Sequence, residues 1–429
     1  MSNSIIIIAL GAMLVCLFIK VPVFASVMAG AVSYFVLSSS TSQVIIVQRI
    51  VSGIQSIPLL AIPFFVCAGV FMNYSGVTRR IMDFCAVITG RMVGGLAQVN
   101  VLLSTMMGGL SGSNLADAAM EAKMLVPEME RNGYSKEFSS VVTAFSSVIT
   151  PLIPPGIGMI LYGSIANVSV GRLFVSGIGV GLILCFSLMI LVSRISKKRG
   201  YLPIRTEKIS SKDFWKALKG AFFPLLLPVI IIGGIRIGVI TPTESGSVAI
   251  VYSLLLGLFY RELKWEHIVK GLKETVITTA SIFLIVGAAS ALSWALTKEQ
   301  IPQALAGTLT TVISNKYVFF LAVNVFLLLL GMFLEGNAIT IVLVPLLAPI
   351  ARSYGISDIQ FAMMFIFNIS IGALTPPMGT LMFVTCGITG CKIKAFIKEA
   401  IPFFAFLLLI LLILTFIPAA TTGLVDLIY

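Results

Sequence analysis

Charged side chains are scarce in this sequence, and their scarcity decides its broad class. Lys, Arg, Asp and Glu make up 11% of the 429 residues, whereas hydrophobic residues make up 58%. So few charges cannot cover the surface of a soluble globule of this length. Many apolar runs approach or exceed the roughly 20 residues that cross a bilayer as a helix, which predicts about 10 to 12 membrane-embedded segments. The sequence therefore predicts an all-α polytopic membrane protein.

Residues for nucleophilic, metal or ATP chemistry are also scarce. His267 is the single histidine, so no nucleophile–histidine pair is credible. The six cysteines lie mostly inside apolar runs and lack paired metal-ligand spacing, so neither a disulfide framework nor a metal cluster is indicated. No Walker loop of the form GxxxxGKS or GxxxxGKT occurs. These absences favour a secondary active transporter, with a membrane enzyme or a channel as the rival from another class.

Positive charge is concentrated near the middle of the chain. The sequence has 29 Lys and Arg residues against 17 Asp and Glu residues, a net charge of +12. Nine of the basic residues fall between Arg194 and Lys219. A dense basic loop between spans marks the cytoplasmic side, so residues 194–220 are predicted to be cytoplasmic and no nucleic-acid partner is expected. Lys20 follows the first apolar run, which is predicted to be a retained span, and favours an N-terminus on the outer side.

Prolines and glycines recur at one constant separation along the chain. Pro154 and Pro155 have counterparts in Pro376 and Pro377, and we call the separation between Pro154 and Pro376 the repeat offset. The repeat offset also relates Pro127 to Pro349, Gly133 to Gly355, Ser135 to Ser357, Gly109 to Gly331, Ala116 to Ala338 and Phe174 to Phe396. The chain is therefore predicted to contain two repeats, residues 1–193 and 221–429. We expect them to be inverted, because secondary transporters commonly arise from inverted repeats.

Each predicted repeat contains a hairpin and a broken helix. They are expected at about 100–130 and 138–168 in the first repeat, and at about 318–351 and 358–388 in the second. An amphipathic connector along the membrane surface is expected at about 261–275. Two successive prolines remove backbone donors and unwind a span, and the freed carbonyl groups must be satisfied by protein, water or an ion. A simple proline kink is the alternative at each break.

Oxygen-bearing residues near the breaks suggest ion binding. A hard cation such as sodium takes oxygen ligands, which unwound carbonyls and Ser, Thr or Asn side chains provide. The half-helix after a break points its positive end inward, where an anionic substrate could sit. Asn114 could bind a cation or cap a helix. Asp117 and Glu121 fall on one helix face, so they could continue a polar pathway or pair with nearby basic residues.

A further polar stretch opens the second repeat. Glu244 lies in a Thr-Pro-Thr-Glu setting and is expected to have a structural role, as a helix cap or anchor, with a direct substrate role as the alternative. In the second hairpin the polar core is residues 335–337 with Thr340. Asn337 corresponds to Asn114 only if the alignment of the repeats slips by one residue.

Four motifs occur in order along the chain: GGLSGSNLADAAMEAKMLVPEMERNGYSKEF, ITPLIPPGIGMILYG, GVITPTESGSVAIVY and GALTPPMGTLMFV. Together they resemble the large membrane subunit of tripartite ATP-independent periplasmic (TRAP) transporters, within the ion-transporter superfamily. The resemblance implies inverted repeats, re-entrant hairpins, and an elevator-type transport domain that moves against a scaffold. It also implies sodium-coupled import of an organic anion, such as a C4-dicarboxylate, sialic acid or another sugar acid, across the bacterial inner membrane.

The resemblance also implies partners. They are a small four-helix membrane subunit (Q type), a periplasmic substrate-binding protein, the lipid bilayer and the small organic anion, with Na+ as the coupling ion. A stand-alone carrier of the same superfamily, working without a binding protein, is the alternative function.

Sodium and substrate residues are implied at the hairpin tips and helix breaks. The implied sodium residues are Ser111, Gly112, Ser113, Asn114, Thr150, Pro154, Gly156, Gly336, Asn337, Thr340, Thr375, Pro376 and Gly379. The implied substrate cleft contains Ser113, Asp117, Pro155, Asn337, Pro377 and Thr380. Gly156 and Gly158 stand where the family more often has Ser or Pro, which bears on the ligand set of the first site.

Overall fold

The computed structural model describes residues 2–19, 21–38, 41–207 and 209–429. Lys20, on which the expected orientation depends, and Lys208 of the basic segment lie outside these residues. The described chain is helical and has no strand, as its composition predicts. Seven described helices are long and apolar enough to cross a membrane, or up to nine if each bent pair is one span. The expectation of about 10 to 12 embedded segments is higher because apolar helices of only 10–17 residues also occur.

Twenty α-helices follow one another in the described ranges. The first ten are α1 Ser2–Phe18, α2 Val23–Leu37, α3 Val44–Ile54, α4 Ala61–Tyr74, α5 Val77–Thr89, α6 Gly95–Ser111, α7 Asn114–Arg131, α8 Lys136–Ser146, α9 Ile157–Ala166 and α10 Val170–Arg199. The second ten are α11 Ser211–Arg236, α12 Pro242–Phe259, α13 Trp265–Lys298, α14 Ile301–Val312, α15 Lys316–Gly331, α16 Gly336–Ser353, α17 Asp358–Gly372, α18 Thr380–Thr389, α19 Ile393–Phe416 and α20 Ala419–Ile428. Short 3-10 helices, Ile57–Leu60 and Ser147–Leu152, precede α4 and follow α8.

The helices form two packed groups. In the first group α2, α3 and α4 pack on α13, α4 also packs on α12, and α5 packs on α11. In the second group α7 packs on α18, α16 on α9, α8 on α19, and α10 on α17 and α20. Buried aromatic rings fill the second group, where the centroids of Phe145 and Phe403 are 5.4 Å apart. The hairpin of α6 and α7 and the hairpin of α15 and α16 both belong to this second group, so each half contributes to one core.

Helices in the two halves begin at matching positions. The starts of α7 at Asn114 and α16 at Gly336 are separated by the repeat offset, and so are the starts of α8 and α17. The turn after each hairpin contains a glycine with positive φ, 83° at Gly133 and 69° at Gly355. A side chain would strain this left-handed backbone, so both turns favour glycine. That the two halves are inverted stays a prediction.

Two segments expected as connectors are largely helical. Residues 265–275 form the first turns of the unbroken 34-residue helix α13, because residues 276–281 contain no proline or glycine that would end it. The basic segment 194–220 is mostly the end of α10 and the start of α11, so residues 200–210 alone connect the two helices. Basic side chains in the last turn of α10 complement the negative end of its dipole.

Candidate functional site

The first break lies between α8 and α9. The helical segments Lys136–Leu152 and Ile157–Ala166 are bent by 41° to each other, on either side of the Pro154–Pro155 pair. Gly156 sits so close to the preceding turn that a Cβ atom on it would lie 2.2 Å from the carbonyl oxygen of Pro151. The missing proline donors and this tight backbone contact explain why one helix does not run through the segment.

The second break lies between α17 and α18. Residues 373–379 separate the two helices. The backbone N–H of Leu381 donates a hydrogen bond to the carbonyl oxygen of Ala373 over 2.9 Å. A Cβ atom on Gly379 would lie 2.8 Å from the same oxygen. The chain therefore folds back tightly on the end of α17 before α18 begins.

Each hairpin meets the break of its own half through glycine backbone. Gly112, at the tip between α6 and α7, has a φ of 62°. A Cβ atom there would lie 2.4 Å from the carbonyl oxygen of Pro155. In the second half a Cβ atom on Gly331 would lie 2.8 Å from the Cα atom of Gly372. Both contacts bring hairpin and break closer than any larger residue allows.

A cavity of about 710 Å³ lies between the two hairpin tips. Its polar lining consists of Asn73, Ser111, Ser113, Asn114, Thr278, Ser281, Glu335, Asn337, Ser370 and Thr380. One wall comes from α2, α4 and α13, and the rest comes from the tips and the broken helices. Among the described lining residues Glu335 is the single titratable side chain, and none is basic.

Two helix N-termini converge on this cavity. α7 is capped by Ser113, whose hydroxyl accepts a hydrogen bond from the N–H of Ala116 over 3.4 Å. α16 is capped by Glu335, whose carboxylate accepts from the N–H of Ala338 over 3.1 Å. All four residues line the cavity. Both helix starts therefore face one space, but their electrostatics differ. The start of α7, with a neutral cap, favours an anion, whereas the start of α16 already faces the carboxylate of Glu335.

The predicted sodium residues divide into two sets. Six line the cavity: Ser111, Gly112, Ser113, Asn114, Gly336 and Asn337. Seven do not line it and lie in the breaks and hairpin bodies: Thr150, Pro154, Gly156, Thr340, Thr375, Pro376 and Gly379. The amide oxygen of Asn114 accepts from the N–H of Leu115 over 2.9 Å, so this side chain is held at the start of α7.

The hydroxyl groups of Thr340 and Thr375 are engaged locally, whereas that of Thr150 donates to Asp117. The hydroxyl of Thr340 donates to the carbonyl oxygen of Gly336 over 2.9 Å. The hydroxyl of Thr375 donates to the carbonyl oxygen of Ile371 over 2.9 Å. The atoms that could coordinate a cation here are hydroxyl, amide and carbonyl oxygens, which are the ligands that a hard cation prefers. The chemical types of these residues therefore suit a sodium ion.

The structure separates the predicted substrate residues. Ser113, Asn337 and Thr380 line the cavity. Asp117, Pro155 and Pro377 do not line it. Asp117 is 1% exposed because its side chain turns from the tip toward the first break. Pro155 is covered by the tip at Gly112, and Pro377 is exposed elsewhere on the surface.

Glu244 lies at the start of α12, away from the cavity lining. Its carboxylate accepts a hydrogen bond from the N–H of Thr241 over 2.7 Å. The hydroxyl of Thr241 in turn accepts from the N–H of Glu244 over 3.2 Å. This reciprocal capping box satisfies two backbone donors at the helix start.

Sequence reasoning missed part of the cavity wall. Asn73 of α4 and Thr278 and Ser281 of α13 are far along the chain from the predicted tips and breaks, so the sequence did not connect them with the site. The helical spacing of Asp117 and Glu121 placed these two residues on one face, but it did not show which residues meet them. In the structure the hydroxyl of Ser104 donates to Glu121 over 2.7 Å. Neither carboxylate belongs to an ion pair among the described residues, so pairing with basic residues is not observed.

The helical fold, with seven to nine candidate spans among the described residues, is that of an all-helical, multi-pass membrane protein. The solved structure of the YdaH transporter of Alcanivorax borkumensis has a similar fold, with a TM-score of 0.58, 14% sequence identity and 86% of each chain covered. At that identity the similarity concerns the fold alone.

The chain belongs to the family of the DctM component of tripartite ATP-independent periplasmic transporters, which it matches over residues 10–420. It is similar to the sialic acid TRAP transporter large permease protein SiaM of Vibrio cholerae, 38% identical over 96% of each chain. It is also similar to the C4-dicarboxylate TRAP transporter large permease protein DctM of Pseudomonas aeruginosa, 38% identical over 85% of this chain and 86% of that protein. The resemblance seen in the sequence is thus confirmed, and the chain is a transporter component with a role in substrate uptake, not an enzyme.

Proposed function

We propose that this chain is the sodium-coupled permease subunit through which an organic anion, delivered by a periplasmic binding protein, enters the cell. The observation that carries the proposal is the cavity of about 710 Å³ on which two helix N-termini converge. The cargo is a C4-dicarboxylate, sialic acid or another sugar acid, because relatives named for sialic acid and for C4-dicarboxylates are both 38% identical to this chain. A small four-helix subunit (Q type) completes the permease in the inner membrane.

The cavity can hold an anion without a basic side chain. Its described lining contains no Lys, Arg or His, so the negative charge would be met by the N–H groups at the start of α7 and by bound sodium. Ser113, Asn337 and Thr380 offer hydroxyl and amide groups to the carboxylate or hydroxyl groups of the substrate.

Sodium is proposed to bind where each hairpin meets its break. The first set of ligands comes from residues 111–114 and the break at 150–156. The second comes from Gly336, Asn337 and Thr340 with the break at 375–379. An ion that binds both parts stabilises the closed hairpin, and it shifts the equilibrium only by its higher affinity for the closed state.

Movement is proposed to occur between the two packed groups of helices. The hairpins and broken helices form the transport body, and α1 to α5 with α11 to α14 form the scaffold. The cavity lies at their border, since α2, α4 and α13 line it together with both tips. In this elevator mechanism the transport body would slide along the scaffold and carry the cavity across the membrane.

Reconstitution tests the proposal. Liposomes containing this chain and the small subunit are given a substrate-loaded periplasmic binding protein, with radiolabelled sialic acid or succinate, under an inward gradient of Na+ or of K+. We expect uptake of one acid that requires all three proteins and Na+. Uptake by this chain alone would instead indicate a stand-alone carrier, and equal uptake with K+ would overturn sodium coupling.

A further inference from the structure

Two carboxylate side chains are buried behind the tip of the first hairpin. Asp117 and Glu121 are 1% and 0% exposed. They are four residues apart on α7, so they share one face of this helix. That face is turned to α6 and to the first break, and Glu121 has no part in the proposed tip site.

Hydroxyl groups join the two carboxylates into one cluster. The hydroxyl of Thr150 donates to Oδ2 of Asp117 over 3.0 Å, and the hydroxyl of Ser104 donates to Oε2 of Glu121 over 2.7 Å. Thr150 Oγ1 also lies 3.5 Å from the carbonyl oxygen of Ser104. The hydroxyl of Ser111 is a further neighbour of Asp117. We call these five residues the acidic cluster.

Two oxygen atoms of the acidic cluster have no hydrogen-bond partner. Oδ1 of Asp117 and Oε1 of Glu121 are shielded from solvent and accept no hydrogen bond from any residue that the structure describes. Buried polar atoms are nearly always satisfied. A ligand that carries positive charge would satisfy both of these carboxylate oxygens.

No side chain supplies that positive charge. The ion pairs among the described residues include neither Asp117 nor Glu121. Of the elements packed on α7, α6, α18 and the 3-10 turn after α8 contain no Lys, Arg or His. The basic residue of α8, Lys136, pairs with Glu130 at 3.7 Å. Lys123 of α7 is exposed. Two buried carboxylates without a counter-charge are strongly unfavourable.

We propose that the acidic cluster is a further Na+ site, which lies behind the proposed tip site of the first half and borders it at Ser111 and Thr150. The ligands are the free oxygens of Asp117 and Glu121 with the oxygen atoms of Ser104 and Thr150. This site rests on the proposed sodium coupling and extends it. It belongs to the first half of the chain alone, because apolar Ile339 and Leu343 stand at the repeat offset from Asp117 and Glu121.

The donor set suits Na+ better than a divalent ion. Every donor is an oxygen atom, which is typical of sites for hard cations. Ca²⁺ requires about six to eight oxygen ligands, and Mg²⁺ usually keeps several water molecules. The proposed ligands are two free carboxylate oxygens, two hydroxyls and one carbonyl, and both carboxylate side chains are almost fully buried.

Its place in the fold makes the ion a sensor of hairpin closure. Ser104 belongs to α6, Asp117 and Glu121 to α7, and Thr150 to the first break. An ion held by all three elements would be released if the hairpin moved away from the break. Sodium binding and hairpin closure are therefore expected to favour each other.

Glu121→Gln tests the inference on the full chain purified in detergent. Glutamine keeps the shape and the acceptor for Ser104 but removes the charge. We measure the number of 22Na+ ions bound per chain at saturation and the Na+-dependent rise in melting temperature, with K+ at matched ionic strength. We expect Glu121→Gln to bind one Na+ fewer than the unaltered chain and to show a smaller rise.

Glu128→Gln is the matched control, because Glu128 lies on the same helix with its side chain exposed and paired to Arg131. It should bind Na+ like the unaltered chain. If Glu121→Gln does not fold, Ser104→Ala removes one ligand without altering charge. It should weaken one Na+ site several-fold and leave the number of sites unchanged.

The outcomes separate this inference from the proposed function. If the unaltered chain binds Na+ and Glu121→Gln, or Ser104→Ala in its place, binds the same number with the same affinity, the acidic cluster is not a sodium site although sodium coupling stands. If the unaltered chain shows no Na+-specific binding, the proposed coupling fails as well. If Glu121→Gln removes a stabilisation that depends on pH and not on Na+, the cluster takes a proton and the sodium assignment is overturned.

Discussion

The two hairpins share a backbone plan but differ in where they place negative charge. The first is capped at its tip by neutral Ser113 and has Asp117 and Glu121 buried behind the tip. The second is capped by Glu335, and the positions behind its tip hold Ile339 and Leu343. The second helix of each hairpin thus begins at a matching position, but the electrostatics of the two hairpins differ.

The hairpins also differ in how they contact their breaks. In the first half a hydrogen bond of 3.0 Å joins Thr150 of the break to Asp117 of the hairpin. In the second half Gly331 and Gly372 pack backbone against backbone. Gly372 stands at the repeat offset from Thr150, so the position that donates this hydrogen bond in the first half has no side chain in the second. A hydrogen bond to a buried carboxylate is thus specific to the first half, whereas close glycine packing occurs in both.

Placing a carboxylate in the second hairpin should have the largest effect of the substitutions considered, and the effect should be on stability. Ile339 is 1% exposed and corresponds to Asp117. Ile339→Asp would bury a charge where no hydroxyl partner is provided, since Phe326 and Gly372 stand at the positions of Ser104 and Thr150. We expect a loss of about 3–5 kcal/mol in stability, seen as a fall in melting temperature and in folded yield.

The control for that substitution is Ile339→Val, which shortens the side chain without adding charge and should cost about 1 kcal/mol. Unchanged stability of Ile339→Asp would show that the second hairpin tolerates a buried carboxylate as the first does. The contrast between the two halves would then be lost.

Keeping the tip of the first hairpin away from its break should have the next largest effect, which is a loss of uptake. Gly112 has a φ of 62° and contacts the carbonyl of Pro155. Gly112→Val would strain the backbone and hold the tip away from the break, and a displacement of that kind costs uptake about 100-fold. Uptake into reconstituted liposomes measures it.

Gly133→Ala separates the clash from the backbone strain, because Gly133 has a φ of 83° but no atom within 4 Å of an added Cβ atom. Uptake by this variant should stay within a few-fold of normal. An equal loss in both variants would mean that the contact with Pro155 is unimportant.

Altering the glycine contact of the second half should have a smaller effect. A Cβ atom on Gly372 would lie 2.6 Å from the Cα atom of Gly331. Gly372→Ala should push hairpin and break apart slightly and lower uptake about 10-fold, since overpacking of this kind costs about 1–3 kcal/mol. Gly387→Ala in α18, which has open space around it, should leave uptake unchanged. A normal rate for Gly372→Ala would show that close packing does not hold the second break.

Removing the charge at the second tip should have the smallest effect and the opposite sign. Glu335 lines a cavity whose described wall has no other titratable side chain. Glu335→Gln removes its repulsion of an anion, so the KM for the transported acid should fall by about 3-fold. Ser113→Ala, which removes the cap of the first tip without altering charge, should not lower KM. A raised KM in Glu335→Gln would instead show that the carboxylate contacts the substrate directly.

Much of the fold was predictable because local chemistry decides it. Paired prolines stop a helix whatever surrounds them, and the breaks at Pro154–Pro155 and Pro376–Pro377 lie where these pairs occur. The connector at 261–275 was harder to predict, because an amphipathic face does not show where a helix ends. Its first turns belong to α13, which continues to Lys298 since no residue stops it.

The candidate site was less predictable than the fold. The sequence shows that Asp117 and Ser113 are near the first tip, and only the packing decides that Ser113 lines the cavity while Asp117 faces the break. Helical spacing fixes which residues share a face, but not which neighbour that face meets. Thr278 and Ser281, on the far wall, are distant from the first tip along the chain and follow no pattern that would place them there.

Composition acts through bulk solvation, and paired prolines and recurring glycines act over a few residues. Together these features are enough to specify a helical membrane transporter with two broken helices. The convergence of two helix N-termini, the lack of a basic side chain in the described cavity wall and the isolation of the acidic cluster arise from contacts between distant segments. Those contacts depend on how helices pack against one another, because an electrostatic environment is set by all the atoms around a group and not by its neighbours along the chain.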